Sequence, residues 1–263
     1  MLHKACFDGK VWLAQACITF NNADVNALND YKNTPLHHAC HFGHTDIIKI
    51  LLNAGGKPSL NYKNNGDKTP LELAAVQGCC QTMTLLISCE EKGIQVISRE
   101  NVENVFCILA RLQSLKNLKI ILGLCGADII HCRTKKFSGA TPLIRAMEGS
   151  GCCNNVDVLN LLLEFGSEID AIDDDGDTAL TCCAFNGHAK CAKILIDRGA
   201  KINHVVKSSG RTPLDLALFP VNNLTEAQQE GKNEMVKLLR LCGGLTFSDL
   251  PVVQMNNEAI MQG

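Results

Sequence analysis

Five times the chain carries "TPL" or a near copy, at Thr34, Thr69, Thr141, Thr178 ("TAL") and Thr212. The intervals are 35, 72, 37 and 34 residues, and 72 is about two of the others. A worn copy therefore belongs near residue 104, where "NVFCILA" begins at Asn104. A glycine recurs nine residues after the threonine, at Gly43, Gly78 and Gly187, and twelve residues beyond Gly43 and Gly187 stand Gly55 and Gly199. Punctuation in fixed register means copies of one small unit, which restricts the fold more than any composition does.

Each mark has a physical role. Threonine at the N-cap and proline at the first helical position start a helix. Leu36, Ala39 and Cys40 fill its buried face, and a glycine such as Gly43 stops it. A second helix, "TDIIKILLNAG", sets Ile47, Ile48, Leu51 and Leu52 at helical spacing before Gly55. Such a pair cannot bury its apolar face alone, so neighbours must stack.

"TPLHHACHFGHTDIIKILLNAG" and "GDTALTCCAFNGHAKCAKILIDRGAKIN" resemble the ankyrin repeat family nearly position by position. The resemblance implies an all-α solenoid of stacked helix-turn-helix units with short β-hairpin-like fingers. It covers residues 1–250 in about seven repeats: 1–29, 30–63, 64–99, 100–135, 136–172, 173–206 and 207–246. A flexible tail, 251–263, is expected after them. The first repeat lacks Thr-Pro and is similar to an N-terminal cap. The last carries an insertion within 219–231 and is similar to a C-terminal cap, and repeat five carries another at 148–157. Repeat four has lost both Thr-Pro and its mid-repeat glycine. It is either a worn member of one stack or a break between sub-arrays 1–98 and 137–263.

Composition narrows the function classes. Basic and acidic side chains number 25 and 27, a net charge of −2, so no nucleic-acid partner is expected. No apolar run is long enough to span a membrane. The opening "MLHKACFDGK" is charged where a secretory signal would be apolar. With fifteen cysteines, that predicts an intracellular protein, cytoplasmic or nuclear, whose thiols stay reduced. A monomer is expected.

The histidine-rich stretch 33–44 invites a metal reading, since His37 and His41 lie four apart on one helix. Two ligands do not make a site, and the glutamate of a zinc-protease helix is missing. The family pattern instead places His37 and His44, and their counterparts His3 and His188, where imidazoles bond turn backbone and link repeats. Cys182, Cys183 and Cys191 stand at apolar core positions as small hydrophobes, and Cys152 and Cys153 in the insertion are expected to be oxidisable. "DDDGD" at 173–177 fails as a calcium loop, because Ala171 and Cys182 would fall on ligand positions. No catalytic set or phosphate loop emerges, so neither enzymatic activity nor a cofactor or metal is expected.

A partner would meet the concave face of first helices and fingers. The residues before the mid-repeat glycine should face it: Phe7 and Asp8, His41 and Phe42, Val76 and Gln77, Phe185 and Asn186, then Phe219 with Pro220. Phenylalanine recurs there four times where polar residues are the neutral expectation. The alternative is that the rings tuck against their own fingers. Tyr31, Phe137, Asp174 and Asp175, on predicted fingertips, extend the surface. The expected function is a non-catalytic scaffold for a protein or peptide ligand. The other reading is the substrate-receptor portion of a larger enzyme or ubiquitin-ligase assembly, though the short remainder after the last repeat leads us to expect no further domain. Asn26 in "DVN" and, more weakly, Asn203 in "KIN" match ankyrin asparagines that can be hydroxylated.

Overall fold

A computed structural model describes residues 1–91, 94–95, 97–149, 156–221 and 225–251. Cys152, Cys153 and the tail beyond 251 lie outside the described residues. The chain divides into two compact units, 1–109 with 116–126, and 110–115 with the chain from 127 onward.

The first unit is built from helix pairs: α1 (Leu2–Phe7) with α2 (Val11–Thr19), α3 (Pro35–His41) with α4 (Thr45–Leu51), α5 (Pro70–Val76) with α6 (Cys80–Ile87), and α7 (Arg99–Arg111) with α8 (Leu115–Cys125). Helix α3 packs between α1 and α5, and α4 between α2 and α6. The second unit repeats the plan with α9 (Pro142–Met147) and α10 (Val156–Glu164), α11 (Ala179–Asn186) and α12 (Ala189–Asp197), and α13 (Pro213–Leu218) and α14 (Glu226–Leu241). There α11 packs between α9 and α13, and α12 between α10 and α14. Each unit is thus an all-α stack of helix-turn-helix repeats.

All five recurrent threonines are N-caps, each side chain accepting the N–H three residues on. The leucines of the motif, Leu36, Leu71, Leu143, Leu180 and Leu214, are all buried. Three residues later stand Ala39, Ala74, Ala146, Cys183 and Ala217, also buried. Small side chains at this place let consecutive first helices approach closely, and Cys183 serves there as an alanine would.

The fingers are hairpin turns too short to register as strands. Asn29, Asn64 and Asp173 each donate their N–H to the carbonyl four residues on. Their side-chain oxygens also accept two N–H groups inside the same turn. This side-chain turn, always five residues before the capping threonine, is a local device of Asn and Asp. Neighbouring fingers are tied by backbone bonds, Asn65 N–H to Tyr31 at 3.0 Å in the first unit, and Asp174 to Ser138 at 2.9 Å and Ser208 to Asp175 at 3.0 Å in the second. Among the described residues the strands are β1 (Glu90–Glu91) and β2 (Ile94–Gln95), an antiparallel pair ahead of α7.

Repeat four keeps the register but not the start. Asn104 falls inside α7, which begins five residues earlier at Arg99. With no proline at 105, the backbone there keeps its N–H and the helix runs through the slot where the other repeats begin. At the other end Gln113 takes the place of the mid-repeat glycine, at φ 56° against 70° for Gly43.

Of the segment 219–231, residues 222–224 lie outside the described residues. From Glu226 it forms the first turns of α14, capped by Thr225. Its entry brings backbone onto Gly187, which ends α11 at φ 75°. A Cβ on Gly187 would lie 2.9 Å from the Lys232 nitrogen. Gly187→Ala is therefore expected to cost about 2 kcal/mol in urea unfolding, from the left-handed backbone and the contact together. A loss under about 0.5 kcal/mol would mean that α14 does not press there.

Candidate functional site

The glycine turns fix where the first helices end, and so which side chains stand at their exposed ends. In the first unit Phe7 and Phe42 are 50% and 42% exposed and meet edge to face, ring centroids 4.7 Å apart. Imidazoles surround them. His38 lies edge-on to Phe7 at 5.8 Å, His41 perpendicular to Phe42 at 4.6 Å, and His44 stacked on Phe42 at 6.0 Å. Burial, then the neighbouring His3 and His41, lowers the His38 pKa. Asp8 stands between Lys4 at 3.3 Å and Lys10 at 3.7 Å. Val76 and Gln77 are exposed at the equivalent place, and Tyr31 is exposed on its fingertip.

In the second unit the same positions are dressed differently. Phe185 and Phe219 are 44% and 36% exposed. The Lys232 ammonium sits 5.3 Å from the Phe185 ring centre, and the Arg211 guanidinium 4.2 Å from that of Phe219. Phe137, at the end of a 3₁₀ turn, is half-buried with Arg145 over its ring at 4.2 Å. Asn186 is half-buried, and Pro220, Asp174 and Asp175 are exposed. Lys232 is itself buried, donating to the Leu216 and Phe219 carbonyls at the end of α13, where a cation meets the negative end of the helix. Sequence reading missed these cations, since no local pattern signals a contact such as Phe185 to Lys232.

Three histidines bond the backbone of neighbouring turns and helices. His37 is fully buried, its Nδ1 accepting from the Thr34 N–H and its Nε2 donating to the Lys68 carbonyl of the next finger. His3 Nε2 lies 3.0 Å from both the Ala27 and Asn33 carbonyls, and His44 Nε2 3.4 Å from that of Phe7. Among the described residues no group of three or more His, Cys, Asp or Glu is placed to hold a metal ion. The thirteen described cysteines are all thiols, with Cys183 and Cys191 buried. Burial pushes the Cys6 thiol up to about 12, which suppresses its reactivity. The amides of Asn26 and Asn203 donate to the Gly55 and Gly243 carbonyls. Their oxygens accept from Ser59 Oγ and the Leu245 N–H.

A family model described as "Ankyrin repeats (3 copies)" matches residues 2–100, 106–206 and 150–243. The chain is 31% identical over 190 residues to the nuclear factor NF-kappa-B p105 subunit of Gallus gallus, covering 70% of this chain and 18% of that protein. It is 33% identical over 155 residues to the probable 26S proteasome regulatory subunit p28 of Saccharomyces cerevisiae, covering 57% and 64% of the two chains. The chain thus spans less than two thirds of either relative. Among solved structures, the human ASB11 ankyrin repeat domain aligns with 93% of this chain and 98% of its own at a TM-score of 0.67 and 22% identity, a likeness of fold. No helix among the described residues is long and apolar enough to cross a membrane.

Proposed function

Because the chain belongs to the ankyrin repeat family, whose domains are protein–protein interaction modules, we propose that it is a non-catalytic scaffold holding a protein or peptide on its first-helix face. The observation that carries this reading is the recurrence of a half-exposed phenylalanine at the end of the first helix, one or two residues before the turn: Phe7 and Phe42, which meet, in the first unit, and Phe185 and Phe219 in the second. A large ring left partly in water loses little entropy on docking and gains its remaining apolar burial, as interface anchors do. Asp8, His41, Val76, Gln77, Asn186 and the fingertip residues Tyr31, Phe137, Asp174 and Asp175 complete the proposed surface. The thiols fit a reducing compartment, cytoplasmic or nuclear.

Phe42→Glu and Phe185→Glu are expected to lower capture of cellular partners at least tenfold, matching the about 2 kcal/mol of an interface anchor. Trp12→Glu, at a 71% exposed residue on α2, should leave capture unchanged, with circular dichroism checking the fold of each variant. Capture lost through Trp12 and kept through both phenylalanines would refute the assignment. A second reading, a receptor portion of a degradation assembly, draws on the likeness to a proteasome regulatory subunit. Co-purification with proteasomal or ligase components would favour it.

A further inference from the structure

In the second unit a cleft of about 430 Å³ opens beside Phe185, between the ends of α9 and α11, the start of α13 and the finger at 208–209. Phe185 and Leu216 make an apolar wall, and Glu148, Asp177, Asn186 and Ser208 supply polar groups. Beside the hydroxyls of Ser208 and Ser209, which can donate or accept, several polar side chains here already have partners. Asn186 gives its amide hydrogens to the Met147 and Cys182 carbonyls at 3.2 and 3.1 Å, which leaves that side chain only its oxygen. Thr181 Oγ1 donates to Asp177 Oδ1 at 2.8 Å. Arg145 pairs with one oxygen of Glu148 and lies over Phe137. What the cleft still offers is mainly acceptors: the second oxygens of Asp177 and Glu148 and the carbonyl of Asn186.

The charged residues of the lining are both carboxylates, with Arg145 paired to Glu148 and Lys232 against the Phe185 ring beside them. Burial raises the Glu148 pKa; Arg145 and Arg111 oppose that rise, and Asp173 and Asp177 add to it. Burial likewise raises that of Asp173. Carboxylates crowded at a low-dielectric wall are relieved by an incoming cation. A cleft of acceptors with an apolar wall matches a side chain that has donors only, a positive charge and an aliphatic stem. Arginine has five donors in a planar fork and stacks on aromatic rings, where lysine offers a compact, strongly hydrated charge.

We infer that this cleft receives an arginine side chain of the bound partner, its guanidinium against Asp177 and Glu148 and its methylenes along Phe185 and Leu216. The inference rests on the reading of the first-helix face as the partner surface and adds to it the partner's chemistry, an extended segment with an exposed arginine.

The test uses the full chain and two probes, acetyl-Gly-Gly-Arg-Gly-Gly-amide and the same peptide with uncharged citrulline. Binding is followed by ¹H–¹⁵N NMR at the Asn186 side-chain amide and the Phe185 backbone. The arginine peptide should give saturable shifts there with a Kd of about 1–10 mM, as one anchored side chain allows, and citrulline should bind at least tenfold more weakly. Asp177→Asn keeps the acceptor for Thr181 and should weaken the arginine peptide about tenfold, whereas Trp12→Glu should leave it unchanged. Equal binding of the two peptides, shifts confined to other residues, or no shifts would overturn the inference. If the cleft is silent while capture still depends on Phe42, the arginine assignment falls alone. A cleft that responds while capture ignores both phenylalanines sinks the partner-face reading instead.

Discussion

Phe106→Ala is expected to destabilise the first unit by about 4 kcal/mol, the cost of emptying a fully packed aromatic site. Phe106 has no exposed surface and is among the largest fully buried side chains of the chain. Its place explains the size of the effect. Counting from the worn slot, Asn104, Val105 and Phe106 stand where Thr34, Pro35 and Leu36 stand in repeat two, so the ring fills the position of the buried leucine. Repeat four has no Thr-Pro start, α7 beginning instead after Ser98, whose Oγ accepts the Asn101 N–H at 3.3 Å, and its turn passes through the left-handed region at Gln113 without a glycine. Its contribution to the stack then rests on packing by Phe106, Leu109, Leu118 and Ile121, all fully buried. Stacked repeats can lose two-state behaviour, so the measurement is urea unfolding followed by both circular dichroism and hydrogen exchange of α7. The midpoint should fall by roughly 2 M, with exchange in α7 accelerated most. A loss below about 1 kcal/mol would show that the ring is not a packed core element.

That contrast shows what the amino-acid order made legible. Thr34, Pro35, Leu36 and Gly43 act on backbone within a turn of themselves, so capping, helix start and helix stop could be read from spacing alone. The side-chain turns of Asn29, Asn64 and Asp173 are equally local but recur in only three of the five copies, Lys136 and Lys207 holding the same place before Thr141 and Thr212. Broken in this way by lysine, the pattern is weaker in the sequence than the threonine and glycine marks. Other features depend on approach in space. The early start of α7 follows from a serine cap, Ser98 with the Asn101 N–H, that stands outside the repeat spacing. Lys232 reaches Phe185 and the end of α13 only because residues 226–231 become helix. For the candidate face, the positions of the phenylalanines were legible. Of their partners, His41 and His44 lie beside Phe42 in the sequence, whereas His38 on Phe7 and Lys232 on Phe185 come from other repeats and carry no local signal.

Lowering the pH from 7 to 4 should cost the wild-type chain about 3 kcal/mol more than a His37→Gln variant. Burial lowers the His37 pKa from 6.5 to about 4, outweighing the Lys68 and Tyr62 carbonyls that favour its charged form. The geometry agrees with the sign: Nδ1 accepts the Thr34 N–H at 3.1 Å, so a proton there would face another donor. Above pH 6.5 folded and unfolded chains both hold the imidazole neutral, and this group adds no pH dependence. Between 6.5 and about 4 the unfolded state takes up a proton that the folded state refuses, so stability falls as the solution is acidified. The shift of about 2.5 units at about 1.4 kcal/mol per unit gives the stated loss. Glutamine at the third helical position completes the threonine capping box as a neutral acceptor, and the corresponding places already hold Glu72, Thr181 and Asp215. His37→Gln should therefore fold, and other titrating groups, including His38 and His188, cancel in the comparison. Unfolding midpoints that fall in parallel for the two proteins would mean that His37 carries its proton in the folded state, and the buried link from Thr34 to Lys68 would have to be redrawn.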